Sequence, residues 1–478
     1  LVRVLVIQLA RLGDLIQTIP LLQSIKADAA NNLTLLVDRR LASAARYSVP
    51  ADRILSIDFS QLAHTINESD LPNGFKSVEA ALSLLRQEQF DIVYNLNHSI
   101  LNFAVLAQIR REIIVGFLPG NGITSIRCSP VFRVLFNQSH NRRYARVHLA
   151  EIFRLAAEKP TAPVFPLYRV KEYGKEFAKA VIKPLKEAGG KHIVTLHLGA
   201  GAEIRKWGAE NFAYMVNNIR KKLDCGLIIV GTDKNESEDF FNFLSNKTSS
   251  VDLTLKTDVD QLAGVLAASD VVISSDSGPL QLAAAAGTKT VGLYFISAMV
   301  FETGPLGSGH LILQAEPECA PCEEDHPACT DLHCRQAISP KLAAEAAVRI
   351  LSDSNLEAMP GREGVSVFRA GIDEMGQNYE LISGSDEDKG HFYRKLWLRL
   401  LRGDIPAEDA ECRGNWRDIP AVEKAVNILG MKQEYIPLAH HYYLSRADEG
   451  GLKAAEEFRR GMGILREMGM EPLNGGNL

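Results

Sequence analysis

The sequence predicts an α/β protein built from two doubly wound halves, and three observations carry that expectation. Short apolar runs alternate with helical patterns along roughly the first 160 residues. The alternation resumes beyond a proline-spaced stretch at 160–166, and each half holds one strand, polar turn and helix in direct succession.

In the first half the apolar runs are residues 4–7, 33–37, 54–57, 92–95 and 113–115, with helical spacing over segments such as 77–87. In the second half a helical segment at 171–188 precedes runs at 193–196, 227–230, around Leu253, 271–274 and 291–294, and a helix at 340–351 closes the pattern. This gives domains at 1–165 and 166–350, followed by a mainly helical extension at 351–478. Within the extension, 365–368 and 379–382 can pair as a hairpin across GIDEMGQN. From 391 to 468 the pattern is helical, and Tyr393, Leu396, Trp397, Leu400 and Leu401 read as a packed stripe.

At 478 residues the chain is too long for one ordinary core. Hydrophobic residues at 46% and charged residues at 23% are those of a globular protein. A net charge of −5 supplies no global field for nucleic acid, so any affinity for phosphate has to be local. No apolar run approaches the ~20 residues of a membrane span, and Leu1 opens a strand rather than a signal peptide. The expected location is cytoplasmic, or peripheral at the inner membrane.

The most informative stretch is 269–295, SDVVISSDSGPLQLAAAAGTKTVGLYF. Two β-branched runs flank Asp-Ser-Gly-Pro and a run of small residues at helical spacing. In a parallel α/β unit this order puts Asp276, Ser277 and Gly278 between the carboxyl end of a strand and the amino end of a helix, where anionic or hydroxylated ligands bind. A plain capped turn, with Asp276 or Ser277 as the cap, fits the same residues. At the other end of the chain a strand at 4–7, the turn ARLGD and apolar helical spacing from 15 to 25 make a second such unit. No G-x-G-x-x-G fingerprint or P-loop follows any strand, which argues against a dehydrogenase or an ATPase.

Taken together these segments resemble glycosyltransferase family 9, the ADP-heptose:lipopolysaccharide heptosyltransferases. The opening matches over 4–20, HLGAGAEIRKW at 197–207 resembles the family's H-x-G-[AS] turn and KW pair, IIVGTDKNESE at 228–238 resembles its strand, glycine and acidic segment, and DSGPLQLA resembles its D-[ST]-G-x-x-H-x-A signature. The resemblance covers about residues 1–350, and its specificity lies in the ordered set. One position departs: Gln281 stands where the signature carries histidine, and glutamine donates hydrogen bonds without a positive charge.

The resemblance implies a GT-B fold, two Rossmann-like domains facing a cleft, and inverting transfer of a sugar, heptose from ADP-heptose, to a lipopolysaccharide-core or other surface-glycan hydroxyl. It implies Asp14 as general base, although an aspartate there also reads as a helix cap. Lys206 is the expected diphosphate ligand, with Arg205 as fallback, and no metal is expected in the chemistry. Gly199, Gly201 and Gly278 would let backbone approach the donor, Asp276, Ser277 and Gln281 would contact it, and Glu236 or Glu238 would bond ribose hydroxyls. Asn95, Asn97 and His98 follow a strand where family members contact acceptor. Arg142, Arg143, Arg146 and His148 form a basic cluster suited to a phosphorylated or acidic glycolipid.

Cys319, Cys322, Cys329 and Cys334 fall in sixteen residues with His326 and His333 between them, a pattern able to hold structural zinc or iron. Unmetallated or redox-paired thiols are the alternative; Cys128, Cys225 and Cys412 stand apart. Two further readings stay open: a non-catalytic nucleotide- or glycan-binding descendant of the fold acting through its extension, which Gln281 favours, and a metal or redox protein centred on the cysteine loop.

Overall fold

The computed structural model describes residues 1–384 except 47, 59–81, 84, 120–125, 130, 133–134, 136–145, 202–204, 296, 321, 323–328, 330–331, 355–358 and 360, together with Arg394 and Leu398. The first sheet centres on β1 (Val2–Gln8), whose inner residues are buried. It pairs in parallel with β2 (Asn31–Asp38) on one side and β4 (Gln89–Asn95) on the other. With β3 (Arg53–Ile57), β5 (Arg110–Pro119) and β6 (Ile126–Cys128) the order is β3-β2-β1-β4-β5-β6.

The second sheet comprises β7 (His192–His197), β8 (Cys225–Val230), β9 (Ser250–Asp252), β10 (Val271–Ser275), β11 (Thr290–Tyr294) and β12 (Leu311–Ala315), all parallel, then the hairpin β13 (Val365–Asp373) and β14 (Gly376–Ser383). Its order is β14-β13-β12-β11-β10-β7-β8-β9. The expected hairpin is present. It also pairs antiparallel with β12, a strand the sequence reading passed over, so the sheet continues past residue 350. The strand expected around Leu253 lies at Ser250–Asp252. The helical patterns at 77–87 and 391–468, with the stripe from Tyr393 to Leu401, lie largely outside the described residues.

The two halves pack on each other closely. One apolar cluster contains Leu15, Ile19 and Leu22 of the Leu12–Lys26 helix together with Leu266, Val272, Leu282 and Ala283 of the second half. Polar ties flank it. Asp260 accepts the Ser43 hydroxyl at 2.7 Å and Lys171 at 2.9 Å. On another side Glu151, paired with Arg154 while both are buried, accepts the Gln377 backbone N–H at 3.0 Å. His148 caps the Leu149–Leu155 helix through Nδ1 and donates from Nε2 to the Gly304 carbonyl at 2.9 Å. Burial lowers its imidazole to about 4, so it is neutral. His148 is therefore an interdomain tie and no part of a cationic surface.

Among the described residues no helix is long and apolar enough to cross a membrane. Where the helices Glu172–Glu187 and Val259–Ala267 cross, Gly174 faces Gly264 backbone to backbone. A Cβ on Gly264 would fall well inside contact distance of the Gly174 carbonyl. Gly264→Ala is expected to lower stability by ~1–3 kcal/mol through overpacking, read as an earlier urea midpoint; an unchanged midpoint contradicts the crossing.

Candidate functional site

In each sheet the strand order reverses at one place, between β1 and β4 in the first and between β7 and β10 in the second. Crevices at such reversals, outside the carboxyl ends of the strands, are where open α/β sheets bind ligands. The site residues expected from sequence follow these strands.

After β1 the chain turns directly into a helix that starts at Leu12, with Asp14 in its first turn. Asp14 is thus not the residue before the helix. It accepts the Arg11 backbone N–H, at the residue before the helix, through Oδ2 at 3.0 Å and remains partly exposed. The turn is braced from below: Gln8, fully buried, donates to the Thr18 hydroxyl at 3.0 Å and accepts from Asn97 at 2.7 Å. Asn97 also accepts the Leu9 N–H at 2.7 Å, so it staples the ends of β1 and β4.

After β10 the Ser277 hydroxyl caps the Gly278–Ala285 helix at Leu280 N–H and lies 2.9 Å from the Ser274 hydroxyl, which meets His197 Nδ1 at 3.1 Å. The start of this helix meets the start of the Leu12–Lys26 helix. A Cβ on Gly278 would lie 3.3 Å from Leu12 Cβ, and one on Gly13 would lie 3.8 Å from Gly278 Cα. Two helix amino termini, each with unsatisfied amides and a partial positive charge, therefore converge.

Asp276 stands at this junction, accepting the Thr303 hydroxyl at 3.1 Å and lying 3.5 Å from the Tyr294 hydroxyl. Burial pushes its carboxyl up to about 6, against the pull of Arg205 and the Thr303 hydroxyl, with Asp14 and Glu302 adding repulsion. The effect of Asp14 on Asp276 shows that carboxylates 262 positions apart in sequence share one electrostatic environment.

Of the two expected cations, Arg205 is the one that acts on Asp276. Its guanidinium and that of Arg11 both border Gly201, at 3.4 Å and 3.1 Å from the place a Cβ would take. Lys206 is paired with Asp233 at 3.2 Å and Glu236 at 4.0 Å. Glu236 also borders Gly199 beside His197, which suits a ribose contact, whereas Glu238 is on the solvent side.

Gln281 is 2% exposed; its amide donates to the Thr303 carbonyl, and its Oε1 accepts no hydrogen bond. His98 leans its ring on Phe117 at 5.3 Å, and desolvation lowers its imidazole from the ordinary value. Asn95 is buried and donates to the Phe117 carbonyl. Arg142 and Arg143 lie outside the described residues, and Arg146 stacks on Phe301 at 4.0 Å.

The expected four-thiol metal knot is not assembled among the described residues, where no three His, Cys, Asp or Glu side chains group to hold an ion. Cys334 is buried in the core of the second half and Cys322 packs against that core, while Cys319 is exposed. His326 and Cys412 lie outside the described residues.

A family model for glycosyltransferase family 9 (heptosyltransferase) matches residues 80–332, more than half of the chain. The chain belongs to glycosyltransferase family 9. Over 179 residues it is 27% identical to lipooligosaccharide heptosyltransferase 2 of Campylobacter jejuni, a match covering 36% of this chain and 55% of that protein, so it spans about half the relative's length. The family 9 glycosyl transferase of Veillonella parvula superposes with a TM-score of 0.55 at 18% identity, covering 74% of this chain and 98% of that one. ADP-heptose lipopolysaccharide heptosyltransferase II of E. coli gives 0.52 at 14%, covering 73% and 99%. Another E. coli heptosyltransferase, solved with ADP-2-deoxy-2-fluoro heptose, gives 0.50 at 16%, covering 73% and 99%. These likenesses show the GT-B fold, which the two switched sheets display.

Sequence reading of this family 9 site missed Arg11, Asp233, Tyr294 and Thr303. Arg11 sits inside the ARLGD turn and Asp233 precedes a helix it caps, so both carried a local signal. Tyr294 and Thr303 carried none, since only the fold brings them to Asp276.

The ionisation of Asp276 has a definite sign. Its folded value, about 6, lies above the ordinary 3.8, so its contribution to stability is complete below about pH 4 and lost as pH rises through 6. Asp276→Asn is expected to melt higher than wild type at pH 7 and to lose that advantage by pH 4. Parallel melting curves across this window contradict the assignment.

Proposed function

We propose that this chain transfers a sugar, heptose from an ADP-linked donor, to a hydroxyl of a lipopolysaccharide-core or other surface-glycan acceptor, with inversion at the anomeric carbon. The observation that carries this reading is the meeting of Asp14, Arg205 and Asp276 at two converging helix amino termini. It is the arrangement that transfer from a nucleoside diphosphate calls for: a base beside a field that favours a leaving anion.

On this reading Asp14 takes the proton of the acceptor hydroxyl as its oxygen bonds to the anomeric carbon, and the bond from that carbon to the diphosphate breaks with its electron pair on ADP. The helix amides at Gly278 and the Arg205 guanidinium meet the growing charge, and Lys206 serves the diphosphate by leaving Asp233. Ser277 contributes its hydroxyl, Asp276 accepts a sugar hydroxyl, and Glu236 beside Gly199 accepts from ribose. Asn97 and His98 border the acceptor, with Arg143 an acceptor contact expected from sequence alone. The solved E. coli relative with an ADP-linked fluoro-heptose supports the donor class. A glycolipid acceptor places the reaction in the cytoplasm or at the inner membrane face.

Asp14→Asn keeps an oxygen for the Arg11 N–H but removes the basicity, so turnover with an ADP-heptose donor is expected to fall ~100-fold or more at an unchanged melting temperature. Wild-type turnover in this variant removes Asp14 from the chemistry. Lys206→Ala and Arg205→Ala are each expected to weaken ADP binding by ~1.5–3 kcal/mol in calorimetry, the range for a charged hydrogen bond. Tighter binding of UDP or GDP than of ADP overturns the adenine assignment.

A further inference from the structure

The Thr303 backbone and side chain are where the bonds around Asp276 meet. Its carbonyl accepts from the Gln281 amide and, at 2.8 Å, from the Tyr294 hydroxyl, while its own hydroxyl donates to Asp276 at 3.1 Å. Thr303 closes a four-residue helix, Val300–Thr303, too short to hold its last residue by helical bonding alone. Gln281 approaches from one turn into the Gly278–Ala285 helix, on the same element as the glycine that receives the donor.

The side chain is committed to this bond. Gln281 is buried and its Oε1 accepts nothing, so its one hydrogen bond is the donation from Nε2 to Thr303. Exchanging oxygen and nitrogen would set two carbonyl oxygens against each other, so Nε2 belongs on Thr303. Its stem also packs on Gly13, whose Cβ would lie 3.7 Å from Gln281 Cγ. Gln281 thus touches both converging helix starts and the threonine that bonds Asp276.

We propose that Gln281 is a positioning residue: by holding the Thr303 carbonyl it keeps the Thr303 hydroxyl on Asp276, and so sets the ionisation and aim of the carboxylate at the donor site. The inference rests on the sugar-transfer reading for its purpose but not for its geometry. The groups facing Asp276 from neighbouring elements are Asp14 on the first helix, Arg205 after β7, Tyr294 on β11, and Glu302 and Thr303 on the short helix; Tyr379 on β14 feels its charge. Only the Thr303 contact passes through Gln281.

The test needs no donor or acceptor. The pH dependence of thermal unfolding, taken as the difference from Asp276→Asn in the same background, reports the titration of Asp276 in the intact chain. Gln281→Met fills similar volume without the donor, and Thr303→Val removes the hydroxyl directly. Each is expected to move the midpoint upward by ~0.5–1 pH unit, because a bond favouring the carboxylate is lost. The double variant is expected to move it no further than Thr303→Val alone, since the two changes act through one contact. Thr303→Ser keeps the hydroxyl and is expected to keep the wild-type midpoint, which holds the test open if Gln281→Met does not fold. A wild-type midpoint in Gln281→Met, additive shifts in the double variant, or no shift in Thr303→Val overturns the proposal. Failure of sugar transfer leaves these titrations untouched, so the two ideas fail separately.

Discussion

The constraint on which the site depends is the close approach of two helix amino termini, one from each sheet, at Gly13 and Gly278. At that separation a side chain on Gly278 would press on Leu12, so the junction is fixed by what these positions lack. The approach concentrates backbone donors from both halves in one place, and negative groups are stabilised there in proportion. Asp14, already turned onto the Arg11 amide, and Asp276, raised by burial, divide this field unequally.

Much of the architecture was legible because its signals are local. Strands such as 4–7 and 271–274 are apolar runs bounded by polar turns, and the helix after the second begins at a recognisable cap, Ser277. The second-sheet edge was harder. The hairpin at 365–382 showed its alternation, yet its partner β12 lies in LILQA, where Gln314 ends the apolar run after three residues and weakens the strand signal.

The site divides along the same line. Asp276, Ser277 and Gly278 follow one another in sequence and were found together. The partners of Lys206 and Asp276 were not, because Asp233 and Thr303 lie 27 positions from each and are delivered by the return of the chain through the sheet. Charge alone misled at His148: its place after an arginine-rich segment suggested a cation, whereas burial leaves it neutral. The cysteine spacing suggested a ligand set, and among the described residues Cys334 lies in the core of the second half while Cys319 is exposed.

The hairpin corner bears on how the two halves can move. Glu151 and Arg154 are buried as a pair, and the Gln377 amide completes the carboxylate's hydrogen bonding from across the domain boundary. Prising the halves apart at that corner would strip a partner from a charged group with little water to replace it, while the Ser43–Asp260 hydrogen bond resists separation on another side. The molecule is a clasp fastened on either side of its shared apolar core, and spreading the halves at either side would break a buried or part-buried polar contact there.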